Sequence, residues 1–462
     1  MLFWCFSASW LHSQSAEKSE ANEKFKAALS SFLELKGLEG ASISWCFRDM
    51  ETGKVLEAYQ EKRLLIPAST IKLYTTVAAL DVLGPKYRYS TRMYLSGAVH
   101  RSRLHGDVVI CGSGDPSLGH RNQQVLNRFR EAIQQYGIER IRGRIEADPH
   151  ALPLTHAVIP RDRTWEDLYN YYGSGVYGIN WRNNSIGMYF SSYDSDSVVA
   201  TTPFGFEYPE GIKSTIQSGA SKATSEVITF FPFPFSAEIQ VDGRVPSGMR
   251  NQEEKMAMPR PPEQFVRELS DSLERSETHV KYGFGIRPYA YQPEEGDTLL
   301  AEYLSEPLSD LIKEVNRNSN NLYAEALART TGMQLGSSGN AEAACAFIRR
   351  CLIQRQLTGD SLFVLREGSG LGVKNLVSTS GMTDLLQRAG KQTWFPDFAA
   401  SLAEPGMPGT MRGFKPIKGL KAKTGSMGGV RAYSGYLTDA SGRQLAFSIM
   451  VNHFLDGSGI RQ

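Results

Sequence analysis

At 462 residues the chain is long enough for two or three domains and a large core. With 41% hydrophobic and 22% charged residues and no long biased tract, it has the composition of an ordinary soluble globular protein. A formal net charge of +2 gives no reason to propose nucleic acid or an anionic membrane as partner.

The first sixteen residues, 1–16, hold an apolar start (Leu2, Phe3, Trp4, Phe6, Trp10, Leu11) followed by small residues at Ser13 and Ser15. This pattern suits a signal-peptide remnant that lacks its positively charged start, with a frayed tail as the other reading. From Glu17 to Leu38, the residues Phe25, Ala28, Leu29, Phe32 and Leu33 form an apolar stripe on an otherwise charged helix, which should pack on a sheet. That sheet is expected to begin with Ala41 to Phe47, turn at Asp49 to Lys54 and return through Val55 to Tyr59. In the next stretch, Leu64 to Pro85, Leu73, Val77 and Leu80 recur at helical spacing, Pro67 suits a start and Gly84-Pro85 a stop. The spacing predicts a half-buried helix with Ser69 in its first turn.

After Pro85 the texture changes. Tyr87 to Leu95 and Val108 to Cys111 read as short strands around a turn region at Val99 to Asp107. They end in Gly112-Ser113-Gly114-Asp115-Pro116, where a misplaced third glycine and Pro116 favour a tight turn over a phosphate loop. Aromatic and proline-rich sequence continues through Trp165 to Tyr172 and Phe230 to Pro234, which suits a mostly β region. Residues 91–255 are therefore expected to form one or two inserted domains between a first catalytic part at 17–90 and a second at 256–462. Helices are expected from Pro261-Pro262 through Leu273, from Pro307 through Val315 and from Asn340 to Leu357. A closing hairpin, Val430 to Leu437 and Leu445 to Asn452, is joined by Thr438 to Gly442. Beyond the first residues, no apolar run reaches membrane-spanning length.

Lys72 lies three residues after Ser69, which places its side chain on the same helical face beside the hydroxyl. A serine is a weak nucleophile until a neighbour takes its proton, and burial or a second cation can make a lysine able to do so. A helix amino terminus adds free N–H groups for negative charge developing on a substrate oxygen. The pattern alone is weak, since Ser-x-x-Lys is expected roughly once or twice by chance in such a chain. A second instance, Ser15 to Lys18, occurs in the polar amino-terminal stretch.

Two further motifs add to it. Asn318-Ser319-Asn320-Asn321 lies between two helical patterns, where a loop can aim Ser319 and Asn321 at a common point. Lys423-Thr424-Gly425-Ser426 leads into the closing hairpin, with Gly425 allowing another backbone to approach. The ordered trio Ser-x-x-Lys, Ser-x-Asn, Lys-Thr-Gly resembles the signature of the penicillin-recognising serine enzymes. Ser319 lies 250 positions after Ser69, and Lys423 lies 104 after Ser319. A compact β-lactamase has no room for that first gap. Such an insertion is typical of the penicillin-binding protein 4 type D-alanyl-D-alanine carboxypeptidases and endopeptidases. Further phrases are similar to that family: Ile66-Pro67-Ala68-Ser69, Gly112 to Pro116, Trp165 to Asn170, Asn321 to Glu325, and Gly368-Ser369-Gly370-Leu371.

The resemblance implies an α+β penicillin-binding, serine β-lactamase-like transpeptidase fold, an antiparallel sheet flanked by helices with large inserted, mostly β domains. It implies a serine peptidase outside the cytoplasm, periplasmic or secreted, that cleaves D-Ala-D-Ala in peptidoglycan stem peptides and is acylated by β-lactam antibiotics. By the same resemblance Lys72 takes the proton of Ser69, Ser319 relays one to the leaving amine, and Asn321 holds the substrate amide and orients Lys72. The N–H groups of Ser69 and Ser426 form the oxyanion hole. Lys423, with the hydroxyls of Thr424 and Ser426, binds the terminal carboxylate, while substrate lies along the Lys423 strand as an added edge strand. No cofactor is implied. Metal catalysis lacks a candidate, because neither a zinc spacing nor His-Glu-x-x-His is present.

Departures from the family bear on specificity. Where it commonly has Asp-Gly-Ser-Gly-Leu-Ser-Arg, this chain has Glu367-Gly368-Ser369-Gly370-Leu371-Gly372-Val373. The arginine that contacts the peptide side chain in some relatives is absent, leaving Lys374 as a substitute or as a plain surface lysine. The family usually builds a closing helix beyond the last hairpin, and without one a sheet face would lose part of its cover. Five cysteines (Cys5, Cys46, Cys111, Cys345, Cys351) suggest no disulfide framework, and Cys111 reads as buried rather than reactive. No Gly-x-Ser-x-Gly elbow supports a Ser-His-Asp reading, and Ser369 reads as structural. Two alternatives stand beside the peptidase: a β-lactamase, which would deacylate drug quickly, and a non-catalytic penicillin-binding sensor or wall-binding protein.

Overall fold

The strand Ser42–Asp49 is buried along nearly its whole length rather than on alternate residues. Ile43, Trp45 and Phe47 face one apolar cluster, and the polar alternates are covered as well. Ser44 Oγ meets Thr379 Oγ1 at 2.7 Å, and Thr383 Oγ1 donates to Cys46 Sγ at 3.2 Å. A strand buried on both faces lies in a sheet with helices on both sides. The computed structural model in which this is seen describes residues 27–120, 124–154, 158–193, 200–203, 212–219, 229–232, 239–359, 362–439 and 441–455. The stretch read as a signal remnant, and residues 17–26 of the expected first helix, lie outside the described residues.

The chain divides into two units: the residues up to Tyr87 together with those from Pro307 onward, and the inserted residues Arg88–Glu306. The first unit holds a five-stranded antiparallel sheet in the order Lys421–Met427, Val430–Thr438, Gln444–Asn452, Ser42–Asp49, Val55–Tyr59. The closing hairpin thus pairs with the first strand, putting Phe47 opposite Phe447. Leu29, Phe32 and Leu33 of the helix at 27–33 pack on the Trp45–Phe447 face, as the apolar stripe predicts. Helix Thr379–Ala389 covers the other face, where Leu386 O accepts from Tyr436 OH at 2.9 Å.

The helix expected to be half-buried differs from that expectation. A 3-10 turn, Ala68–Ile71, leads into helix Lys72–Leu83, and every residue from Lys72 to Leu80 is buried. Helices Leu308–Asn316 and Asn321–Gln334 pack against it. Its polar residues bond inward: Thr75 Oγ1 donates to Gly368 O at 2.8 Å and Thr76 Oγ1 to Lys72 O at 2.9 Å.

In the inserted unit, strands Ser90–His100 and Arg103–Cys111 form a hairpin whose two turn residues, Arg101 and Ser102, have φ of 49° and 59°. They belong to a seven-stranded mixed sheet whose core is filled from helices Gln124–Gln135 and Pro261–Glu274. Gly112–Asp115 is irregular, with Gly112 N donating to Asp148 O and Gly114 N to Gly178 O, and the turn expected there begins only at Pro116, where Asp115 Oδ1 accepts from Ser117 N at 2.8 Å. The return to the first unit was expected at 256 and occurs at 307 instead. Phe265, Val266, Leu269 and Leu273 of the later helix bury with Met93, Val108 and Ile110, and strand Thr298–Leu304 pairs with Ser90–His100. No helix among the described residues is long and apolar enough to cross a membrane.

Candidate active site

Pro67 ends the extended approach to the nucleophile turn, and its carbonyl accepts from Thr70 Oγ1 at 2.8 Å. Ala68 takes a positive φ of 44°, which turns the chain sharply before Ser69. Ser69 is left half-buried, while Lys72, the first residue of the α-helix, is fully buried. The side chains meet as their spacing predicts, with Lys72 Nζ 3.0 Å from Ser69 Oγ.

Lys72 Nζ also donates to Asn321 Oδ1 at 2.6 Å and to the Ser369 carbonyl. Those two oxygens can only accept, whereas a hydroxyl can accept or donate. An uncharged Lys72 would therefore keep its two protons on Asn321 and Ser369, leaving its lone pair aimed at the Ser69 hydroxyl. Asn321 opens helix Asn321–Gln334, and Asn320 just before it caps that helix through a 3.2 Å bond from Tyr323 N. Capping and site duties thus fall on successive residues. Ser319, at a φ of 60°, turns its hydroxyl to accept from Lys423 Nζ at 2.9 Å.

Lys423 lies fully buried on the edge strand Lys421–Met427 and also donates to the Thr424 carbonyl at 2.6 Å. Burial first, and the charge of Lys72 second, hold the Lys423 ammonium well below the ordinary lysine range. Thr424 and Ser426, two residues apart, share a face of this strand, half-buried and exposed respectively. Between them Gly425 packs on the nucleophile turn. A Cβ there would lie 2.6 Å from the Pro67 carbonyl oxygen and 3.2 Å from Ser69 N. All the sequence-predicted site residues therefore fall in the first unit, in two hydrogen-bonded groups, Ser69-Lys72-Asn321 and Ser319-Lys423, flanked by Thr424-Gly425-Ser426.

Sequence reasoning missed one contact at the centre of this arrangement. Ser369 supplies a backbone carbonyl to Lys72, and its turn is held by a buried polar group of its own, with Glu367 bound to Ser369, Gly370 and Asn375. Glu325, paired inside the fold with Arg329 at 3.2 Å, accepts from Gly368 N at 2.7 Å. The only signal in the sequence was Gly368-Ser369-Gly370 itself, which predicts a turn but not where its carbonyl points. Lys374, expected either as a substitute for the family's arginine or as a plain surface lysine, is exposed. Cys46, Cys111, Cys345 and Cys351 are free thiols, and burial pushes Cys111 up to about 12, away from thiolate chemistry.

The fold and this constellation define the penicillin-recognising class of serine peptidases. Residues 25–462 match the D-Ala-D-Ala carboxypeptidase 3 (S13) family, and the chain belongs to it. It is 28% identical over 446 residues to the D-alanyl-D-alanine carboxypeptidase of Actinomadura sp. (strain R39), covering 92% of this chain and 80% of that one. The crystal structure of penicillin binding protein 4 (dacB) from Haemophilus influenzae shares the fold with a TM-score of 0.81 at 22% identity, over 93% of this chain and 94% of that one. The same protein complexed with a novel beta-lactam matches at 0.74 and 21%, over 92% and 93%.

Proposed function

We propose that this chain hydrolyses the D-Ala-D-Ala bond of peptidoglycan stem peptides outside the cytoplasm, and D-Ala-linked cross-links, through an acyl-enzyme on Ser69 that β-lactams also form. The observation that carries the reading is the set of contacts on Lys72, two pure acceptors and one hydroxyl. Lys72 takes the Ser69 proton as Oγ attacks the carbonyl between the two D-alanines. The N–H groups of Ser69 and Ser426 stabilise the oxyanion, such a donor being worth about 10²- to 10³-fold in rate.

Burial first, and the opposing charge of Lys72 second, push the Lys423 ammonium down when no substrate is bound. A substrate carboxylate arriving at Lys423, Thr424 and Ser426 changes the balance. It stabilises the charge on Lys423 and leaves Lys72 as the group without a proton, so binding itself readies the base. Ser319, bonded to Lys423 Nζ, passes a proton to the leaving amine. Asn321 holds the substrate amide while fixing Lys72. Water then enters and hydrolyses the ester.

The test pairs a fluorescent penicillin with D-alanine release from a peptide ending in D-Ala-D-Ala, for the wild type and Ser69→Ala. Labelling and release in the wild type, both lost in the variant, are expected. Rapid turnover of a chromogenic cephalosporin would point to a β-lactamase, and stable labelling without D-alanine release to a sensor; either would refute the proposal.

A further inference from the structure

Beside the motif residues lies the turn Glu367 to Gly370. Glu367 is fully buried. Its Oε2 accepts from the Ser369 backbone N–H at 3.2 Å and from the Ser369 hydroxyl. Its Oε1 accepts from the Gly370 N–H and from Asn375 Nδ2, the latter at 2.9 Å. The Ser369–Gly370 peptide group is thus engaged at both ends: its N–H donates to Glu367 and its carbonyl accepts from Lys72 Nζ. One planar amide stands between a buried carboxylate and the lysine beside Ser69. Hydrogen bonds at opposite ends of an amide polarise it in the same sense and strengthen each other. The turn also packs directly on the nucleophile turn. Gly370 has a φ of +82°, and a Cβ on it would meet the Ala68 carbonyl oxygen at 2.1 Å.

We propose that Glu367 is a positioning residue that sets the orientation and proton affinity of Lys72 through the Ser369–Gly370 peptide. The inference rests on the reading of Lys72 as the base for Ser69. Burial alone drives a lysine toward neutrality and would leave it a poor acceptor for a hydroxyl proton. A carboxylate one amide away offsets that, because it makes the Ser369 carbonyl a stronger partner for a charged Lys72. The base then gives up its proton once the substrate carboxylate sits at Lys423, yet stays strong enough to act. The same carbonyl keeps one Lys72 N–H turned from Ser69, so the lone pair stays on the nucleophile.

The experiment measures the second-order rate of Ser69 acylation by a fluorescent penicillin across pH for wild type, Glu367→Gln and Glu367→Asp, with folded fraction followed by thermal unfolding. The wild-type rate is expected to rise along an acid limb as Lys72 loses its proton. In Glu367→Gln, which keeps size but loses charge, the limb should move about one pH unit lower, with a plateau about tenfold slower. Glu367→Asp keeps the charge, so its limb should stay at the wild-type pH while its shorter reach lowers the plateau. A loss in Glu367→Gln that tracks folded fraction, with the limb unmoved, would overturn the inference and leave the proposed function standing. If Glu367→Gln does not fold, Glu367→Asp decides alone: a limb that moves although the charge is kept refutes the inference. A wild type that is not acylated at all refutes the base assignment and this inference together.

Discussion

Lys423 carries its charge where no water reaches it, and its chemistry follows from that. A lysine held below its ordinary range binds fewer protons when folded than when unfolded, over the window between its depressed value and about 10.4. Within that window the ligand-free fold gains stability as pH rises, because the unfolded chain is the better proton binder. Lys423→Met should flatten this slope and raise the melting temperature at neutral pH, read by thermal unfolding from neutrality toward about pH 10. The same variant should lose about 100-fold in kcat/KM on a peptide with a free terminal carboxylate, a charge-assisted bond being worth about 1.5–3 kcal/mol. An amidated peptide, having no carboxylate to lose, should lose less in the variant than the free acid does, the remaining loss reflecting the bond from Lys423 to Ser319. Wild-type kcat/KM in the variant would remove Lys423 from carboxylate binding. At this scale the side chains were legible, since Ser69, Lys72, Ser319, Asn321 and Lys423 each carry a group whose chemistry the sequence names. The Ser369 carbonyl was not, because every residue has one and only the fold decides where it points.

Between elements, strand Lys421–Met427 packs its backbone directly on the turn Ala68–Ile71. Gly425 makes it feasible. Gly425→Ala would set a methyl 2.6 Å from the Pro67 carbonyl oxygen, and backbone rather than a flexible side chain must yield. Overpacking of this kind costs about 1–3 kcal/mol, and a shift of roughly 1 Å in a reacting group costs about 100-fold in rate. Acylation by penicillin should therefore fall about 100-fold in a protein that still folds, as judged by circular dichroism and its unfolding midpoint. Labelling at the wild-type rate would mean that the strand can shift without disturbing Ser69. Element types were readable from period and punctuation, but burial was not. Thr75 and Thr76 look like the solvent face of a helix, yet their hydroxyls bond to Gly368 O and Lys72 O inside the fold. Ser44 misleads in the same way, its partner being Thr379, 335 residues further along the chain.

In the whole molecule, the catalytic unit is assembled from two chain segments whose ends nearly touch. Leu308 N donates to Tyr87 O at 2.8 Å, and Ser309 N to Pro85 O at 3.0 Å. The inserted residues close on themselves as well: Tyr89 N donates to Ser305 Oγ at 2.9 Å, and Ser305 N to Tyr89 O at 2.9 Å. The far boundary was invisible in the sequence because a proline-started amphipathic helix such as Pro261–Glu274 would suit either unit. Only its burial with Met93 and Ile110 assigns it. Each unit has an apolar core of its own. A chain in which a short Gly-Ser linker replaces residues 88–306 should therefore fold cooperatively, the loop to be closed being small. It should still label at Ser69, because the partners of Lys72 and Lys423 described above all come from the first unit. Residues 88–306 alone should likewise unfold in a single transition. If the excised chain folds but no longer reacts with a fluorescent penicillin, acylation draws on the inserted residues, and the contacts around Lys72 are not sufficient for it.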